Sequence, residues 1–395
     1  MAFLTHEPFY PPTGGGSAEA IYIVEEFVRR GHELHLFCPR IENSDQIATR
    51  FGILIHPFNA FKMGRYAKFR NLKYLIYPFL LEKLVLQSDS RTSFDLLFSQ
   101  HAIAAVTAGK LKRRLGSPVV MNFLDYLSGF METWPAYVAP PPLLKLVKDF
   151  EVHLPARSGA DAVLTVSDTL SDYFVNGGYP RERITPIYYG FDSELFPFRK
   201  PELRDPPVVV MHGSFDQHHL GKTAYDAMKQ VLNVRPETCF RFVGHRTPTL
   251  LSFLRRLTDL FPNARLETTG FIPYFETAEQ LKTATLGIVP YEESTGTHCA
   301  FVAKIVEYAG IGLPVVSTRL NSVSRYFQNE PTITFTDFNG ADFGTGILNR
   351  LSDASENYSS AAEKLSQRVK RELDWRSLAA RAVSIAERVK ANARN

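Results

Sequence analysis

Residues 287–318 read GIVPYEESTGTHCAFVAKIVEYAGIGLPVVST. The run Leu286-Gly287-Ile288-Val289-Pro290 and the run Pro314-Val315-Val316-Ser317-Thr318 are apolar, short and bounded by turn residues, as expected of strands buried on both faces of a parallel sheet. A polar loop and then a helix over about Ala300 to Gly310 separate them. A β-loop-α-β unit places that loop and the helix N-terminus beyond the carboxyl ends of the strands, where open α/β sheets bind ligands. The unpaired N–H groups and positive dipole end of such a helix favour an anion. Lys304 and Glu307, three apart, share one face of it. An ammonium and a carboxylate beside a dipole-positive end suit a ligand with phosphates and a sugar diol; the same spacing also describes an ordinary solvated ion pair.

Near the N-terminus the strand Ala2-Phe3-Leu4-Thr5 leads to Gly14-Gly15-Gly16-Ser17. A helix is then expected over Ser17–Arg30, its face made by Ala20, Ile21, Val24, Phe27 and Val28. Gly31 ends it, and a strand follows at Glu33–Cys38. A strand, a glycine turn and a helix form a phosphate cradle in outline. About nine residues separate strand from glycines, and the second strand ends in Pro39-Arg40 instead of an acid. That argues against a nicotinamide dinucleotide fingerprint, leaving only a 2′-phosphate variant through Arg40. No Gly-Lys-Ser/Thr follows, which excludes a Walker loop.

The wording K-I-V-E-Y-A-G-I-G-L-P-V-V-S-T resembles the donor-nucleotide segment of GT-B glycosyltransferases of the family 4 type. Arg30-Gly31-His32-Glu33 after the glycines, and A-D-A-V-L-T-V-S (160–167) with Tyr189-Gly190-Phe191-Asp192 and Phe196, are similar to that family's N-terminal domain. The resemblance implies two Rossmann-like βαβ domains facing across a cleft. Domain boundaries are expected at 1–198 and 199–375, with a C-terminal helix (about 376–395) returning to the first domain. The Pro- and charge-rich run 196–208 reads as the linker.

By the same resemblance Glu307 is the ribose ligand and Lys304 a neighbour of sugar or phosphates. Gly15, Gly16, Gly213, Ser214, Lys222 and Gly244 are expected around the diphosphate and donor. Ala300, Phe301 and Val302 lead into the Lys/Glu helix, and Phe271 and Ile272 belong to the segment whose backbone reads the base. His101, at the tip of strand 94–101, and Asp125, after strand 118–123, are candidates for the reacting sugar and the acceptor hydroxyl. Three departures stand out: Cys299 where many members carry a first glutamate, Ser214 at the position of an arginine, and His219-Leu220 near that of a lysine, for which Lys222 is the candidate substitute. Asp192 reads as a turn cap.

The stretch 61–87 interleaves Lys62, Arg65, Lys68, Arg70 and Lys73 with aromatic and aliphatic residues. It suits an anionic membrane surface, or equally a solvated helix edge of an acceptor domain; an RNA-contacting strip is the third and weakest reading, since nothing else in the chain resembles a nucleic-acid module. A net charge of +4 says little about partners. Cys38, Cys239 and Cys299 show no metal spacing, which suits a reducing cytoplasm. No apolar run reaches membrane-span length and no signal pattern opens the chain. The expected location is therefore the cytoplasm, either free or at the inner face of the membrane.

The implied function is transfer of a sugar from a nucleotide diphosphate donor, UDP type favoured, to a saccharide, lipid-linked or small-molecule acceptor. Retention of anomeric configuration is expected, with no cofactor and no metal: the chain has no Asp-x-Asp triplet, and side chains and a helix dipole would offset the diphosphate. The alternatives are a GT-B-fold epimerase or phosphorylase, and a non-catalytic nucleotide-sugar-binding protein.

Overall fold

In the computed structural model, residues 1–12, 15–61, 72–202, 204–353 and 358–393 are described; Gly14 and the basic run 62–71 singled out above lie outside them. The chain divides into two units, residues 1–188 with 375–395, and residues 189–374. The division falls ten residues before the boundary read from the linker. The reason is packing: the ring of Phe191 lies against Gly310, Phe191 N–H bonds to Leu373 O at 3.0 Å and Arg199 N–H to Ile311 O at 2.9 Å. The segment after Tyr188 is thus already part of the second unit. Asp192 caps its turn as expected, accepting from Glu194 N–H at 2.9 Å and Leu195 N–H at 3.3 Å.

The first unit is built on strands β1 (Ala2–Thr5), β2 (His35–Pro39), β3 (Leu54–Phe58), β4 (Leu97–Gln100), β5 (Val119–Phe123), β6 (Ala162–Thr165) and β7 (Ile184–Pro186). All neighbours are parallel, in the order β3-β2-β1-β4-β5-β6-β7. The order reverses between β1 and β4, so the crevice at the carboxyl ends of those two strands is the ligand-binding position of the sheet. β1, β4, β5 and β6 are buried along their length, which is why they read as apolar runs without alternation.

Helix 375–392 completes this unit. Trp375, 1% exposed, stacks on Tyr22 with centroids 6.0 Å apart. Glu387 accepts from Arg30 at 2.6 Å and from His32 at 2.8 Å, and Lys390 pairs with Asp95 at 2.5 Å.

The second unit holds β8 (Val208–His212), β9 (Cys239–Val243), β10 (Arg265–Gly270), β11 (Leu286–Val289), β12 (Val315–Thr318) and β13 (Ile333–Thr336). It is again parallel, in the order β10-β9-β8-β11-β12-β13. Its reversal lies between β8 and β11, the latter being the first strand of the stretch quoted at the outset. The helix expected over 300–310 starts later, at Ala303, and runs to Ile311. The polar loop before it forms its own five-residue helix, Thr295–Cys299, closed by a Ser294/Thr297 capping box. Ala300-Phe301-Val302 are therefore an extended, buried connector.

Candidate functional site: the carboxyl ends of the two sheets

At the reversal point of the second unit, β8 ends in His212 and is followed by Gly213, β11 is followed by Tyr291, and helix 303–311 presents its first turns. Lys304 and Glu307 are both buried, at 9% and 5% exposure, which excludes the solvated surface pair. Lys304 Nζ donates to the Tyr291 hydroxyl at 2.8 Å. Glu307 accepts from Tyr274 O–H at 2.8 Å through one oxygen, and the other is bonded to His212 Nε2. On the other side of the ring, His212 Nδ1 lies 2.9 Å from the Tyr308 hydroxyl, which also reaches Val210 O at 3.4 Å. Burial lifts the Tyr308 phenol well above its usual range, with the Glu307 carboxylate adding to it, so this hydroxyl stays a donor. The two Glu307 contacts fix the carboxylate's orientation.

Gly213 has φ +99°, and a Cβ there would fall 2.8 Å from Lys304 Cε and 3.0 Å from Nζ. Both the backbone twist and the close approach of the lysine stem require glycine. Helix 303–311 has no side-chain cap at its N-terminus; of its early N–H groups, that of Ile305 is taken by Val302 O at 3.0 Å. Ser214 beside Gly213 is exposed. Gly244, after β9, is bridged to Gly270; on the same loops His245 and the half-exposed Phe271 stack at 4.5 Å and 20°, while Ile272 is partly covered.

Lys222 does not join this group. Its side chain is 84% exposed and paired with Asp226 on its own helix; that helix (Lys222–Val234) has its Thr223 N–H taken at 2.8 Å by Glu292. Cys299 is fully buried at the end of the five-residue helix. The loop after β8 also brings a carboxylate and two imidazoles, from Asp216, His218 and His219, within 4.8 Å of one another. That donor set could take a metal ion, and spacing alone did not suggest it. His219 packs edge-on to Tyr291 at 4.6 Å.

In the first unit Gly15 begins helix 15–29. Gln100, the last residue of β4, holds Gly16 O at 3.0 Å. A Cβ on Gly16 would lie 3.1 Å from His101 Nε2 and from Leu124 Cδ1. The space above this glycine is thus filled by protein side chains, where the sequence reading left it for a ligand. His101 turns the chain from β4 into helix 101–115 with φ +69°, a conformation that costs a non-glycine residue of order 1 kcal/mol and collects at functional sites. Its Nε2 lies 3.4 Å from the Glu7 carboxylate and its ring is edge-on to His6 at 5.1 Å. Burial disfavours the imidazolium, but the carboxylate of Glu7, aided by Asp125 and Glu19, wins and raises its pKa. Asp125 is partly exposed next to buried Leu124.

Glu19, Asn122, His212, Tyr274 and Tyr291 were not among the residues picked from sequence. Glu19, 2% exposed, accepts from Asn122 Nδ2 at 3.1 Å; burial above all pushes its carboxyl up to about 8, against the Asn122 bond and His101. The available signals were an acid four residues into a glycine-started helix and polar residues ending strands.

Residues 13–195 match the family described as Glycosyltransferase Family 4, and residues 206–353 match Glycosyl transferases group 1. The chain belongs to the group 1, family 4-type glycosyltransferases of GT-B fold. Among solved structures it is similar to sucrose-phosphate synthase from Thermosynechococcus elongatus, with TM-score 0.79 and 14% identity over 99% of each chain. It is also similar to Anabaena HepE in complex with UDP and glucose, with TM-score 0.72 and 18% identity over 97% and 98% of the chains. A putative teichuronic acid biosynthesis glycosyltransferase, TuaH of Bacillus subtilis, is 27% identical over 189 residues, 46% of this chain. The matched region spans 45%, about half, of that curated relative's length.

Proposed function

We propose that this protein transfers a sugar from a nucleoside diphosphate donor, of the UDP type, to an acceptor hydroxyl, with retention of configuration. The observation that carries the reading is the buried Lys304–Tyr291 and Tyr274–Glu307–His212 arrangement at the reversal point of the second sheet. Glu307 is pre-oriented to accept two hydroxyls of the ribose, and a base lies against the loops of Phe271 and His245. Lys304 and the open N-terminus of helix 303–311 stabilise charge as it develops on the leaving diphosphate. The acceptor oxygen forms its bond to the anomeric carbon while the bond to phosphate breaks, and the acceptor's proton passes to the departing phosphate oxygen. His101 and Asp125, at the reversal point of the first sheet, hold the acceptor. No helix among the described residues is long and apolar enough to cross a membrane; the proposed contact of 61–87 with an anionic membrane surface is peripheral.

Calorimetric titration with UDP and UDP-glucose tests the donor site. Losing charge-assisted bonds to the ribose should weaken binding of Glu307→Ala roughly ten- to hundredfold. Unchanged affinity in that variant would remove the assignment.

A further inference from the structure

The first unit carries an apolar cavity of about 350 Å³ between helices 72–92, 101–115 and 141–158. Its walls include Leu75, Val106, Met131, Leu143, Val147 and Phe150. Among the described lining residues only Tyr74, Ser128 and Glu151 bear polar side chains. Glu151 is already engaged, accepting Leu127 N–H at 3.1 Å and Ser128 N–H at 2.8 Å. The cavity therefore offers a ligand almost no directional polar contacts, and its volume lies within the range of small-molecule sites. At its mouth large apolar side chains stand in solvent: Leu75 at 67%, Leu143 at 52% and Phe150 at 43% exposure, with Leu146 at 65% on the same helix. Contiguous exposed apolar side chains rimming a cavity are a feature of binding surfaces.

Two observations select the occupant. The cavity is continuous along the chain with the candidate acceptor site: Ala102 and Ile103, in its wall, directly follow His101, while Leu127 and Ser128 follow Asp125 by two and three residues. The sequence leading into Leu72 and just past it is basic and contains no acid, with Lys62, Arg65, Lys68, Arg70 and Lys73 in twelve residues, which suits a phosphate-bearing head group. We propose that the cavity receives the hydrocarbon chain of a lipid-linked acceptor, whose sugar or phosphate end lies toward His101 and Asp125. This rests on the acceptor reading of the first unit. A second copy of the chain would satisfy the exposed leucines but would leave the apolar interior and the basic run unexplained.

The test is calorimetric titration of the full chain with n-alkyl β-D-glucosides from butyl to octyl, each below its critical micelle concentration. Affinity should rise about fourfold per added methylene. The double variant Leu75→Asp/Leu143→Asp changes only exposed side chains and should abolish that dependence while leaving UDP binding intact. Affinity independent of chain length overturns the proposal whatever happens to the donor site. A wild-type dimer that the double variant converts to monomer, with alkyl binding unaltered, also overturns it and assigns the face to a second copy. Chain-length-dependent binding in a protein that neither binds UDP nor turns over UDP-glucose would support the cavity and refute the donor reading instead.

Discussion

Replacing Glu19 by glutamine should stabilise the protein at neutral pH, an unusual outcome for a buried polar position. The native carboxyl titrates at about 8, while in the unfolded chain it titrates near its ordinary value of about 4.5. Between those values the folded state holds a proton that the unfolded state has released. Stability contributed by this group is then fully present below the unfolded pKa and falls as pH rises, by about 1.4 kcal/mol per pH unit, until the native carboxyl itself ionises. At pH 7 the accumulated cost is about 3 kcal/mol. A glutamine keeps the neutral shape and the bond from Asn122 and carries no titration. The expected result is a flatter pH profile, near equality with wild type at pH 4.5, and a gain approaching that figure at pH 7. Both tryptophans, Trp134 and Trp375, lie in the first unit, so urea unfolding followed by their fluorescence reports on the domain in question. A variant less stable than wild type by the same amount from pH 5 to pH 8 would mean that the native group is a carboxylate, and would refute the reasoning.

Tyr274→Phe removes one of the two bonds that orient Glu307; UDP affinity should fall roughly two- to tenfold, read by calorimetry, with the unfolding midpoint little changed. Gly213→Ala meets both a positive φ and the Lys304 stem, so it should cost about 1 kcal/mol or more in stability and reduce kcat for sugar transfer more than it raises KM for the donor. Trp375→Ala should cost about 3–5 kcal/mol in the denaturant transition of the first unit, monitored by circular dichroism, because a fully buried ring against Tyr22 is lost.

The fold was legible from sequence because its signals are local. Apolar runs such as 286–290 and 314–318 mark strands buried on both faces, and the periodic face of helix 15–29 and the Lys304/Glu307 spacing mark helix positions without knowledge of any partner. The family resemblance rested on those same local stretches. Boundaries were less legible: a capping box formed within the expected loop moved the helix start from 300 to 303, and packing on Gly310 moved the domain division to 188.

What no stretch of sequence could display is convergence. Tyr274 and Glu307 are 33 residues apart, His212 and Glu307 are 95 apart, and Asn122 and Glu19 are 103 apart. Parallel strands pair only through crossovers, so the carboxyl ends that meet at a reversal of strand order come from distant parts of the chain. Sequence alone determined that a lysine and a glutamate share a helix face next to a sheet. Only the tertiary structure decided that both are buried, that His212 and Tyr274 aim the carboxylate, and that Lys222 is paired elsewhere, because burial and partnership are properties of the packed sheet and not of any segment within it.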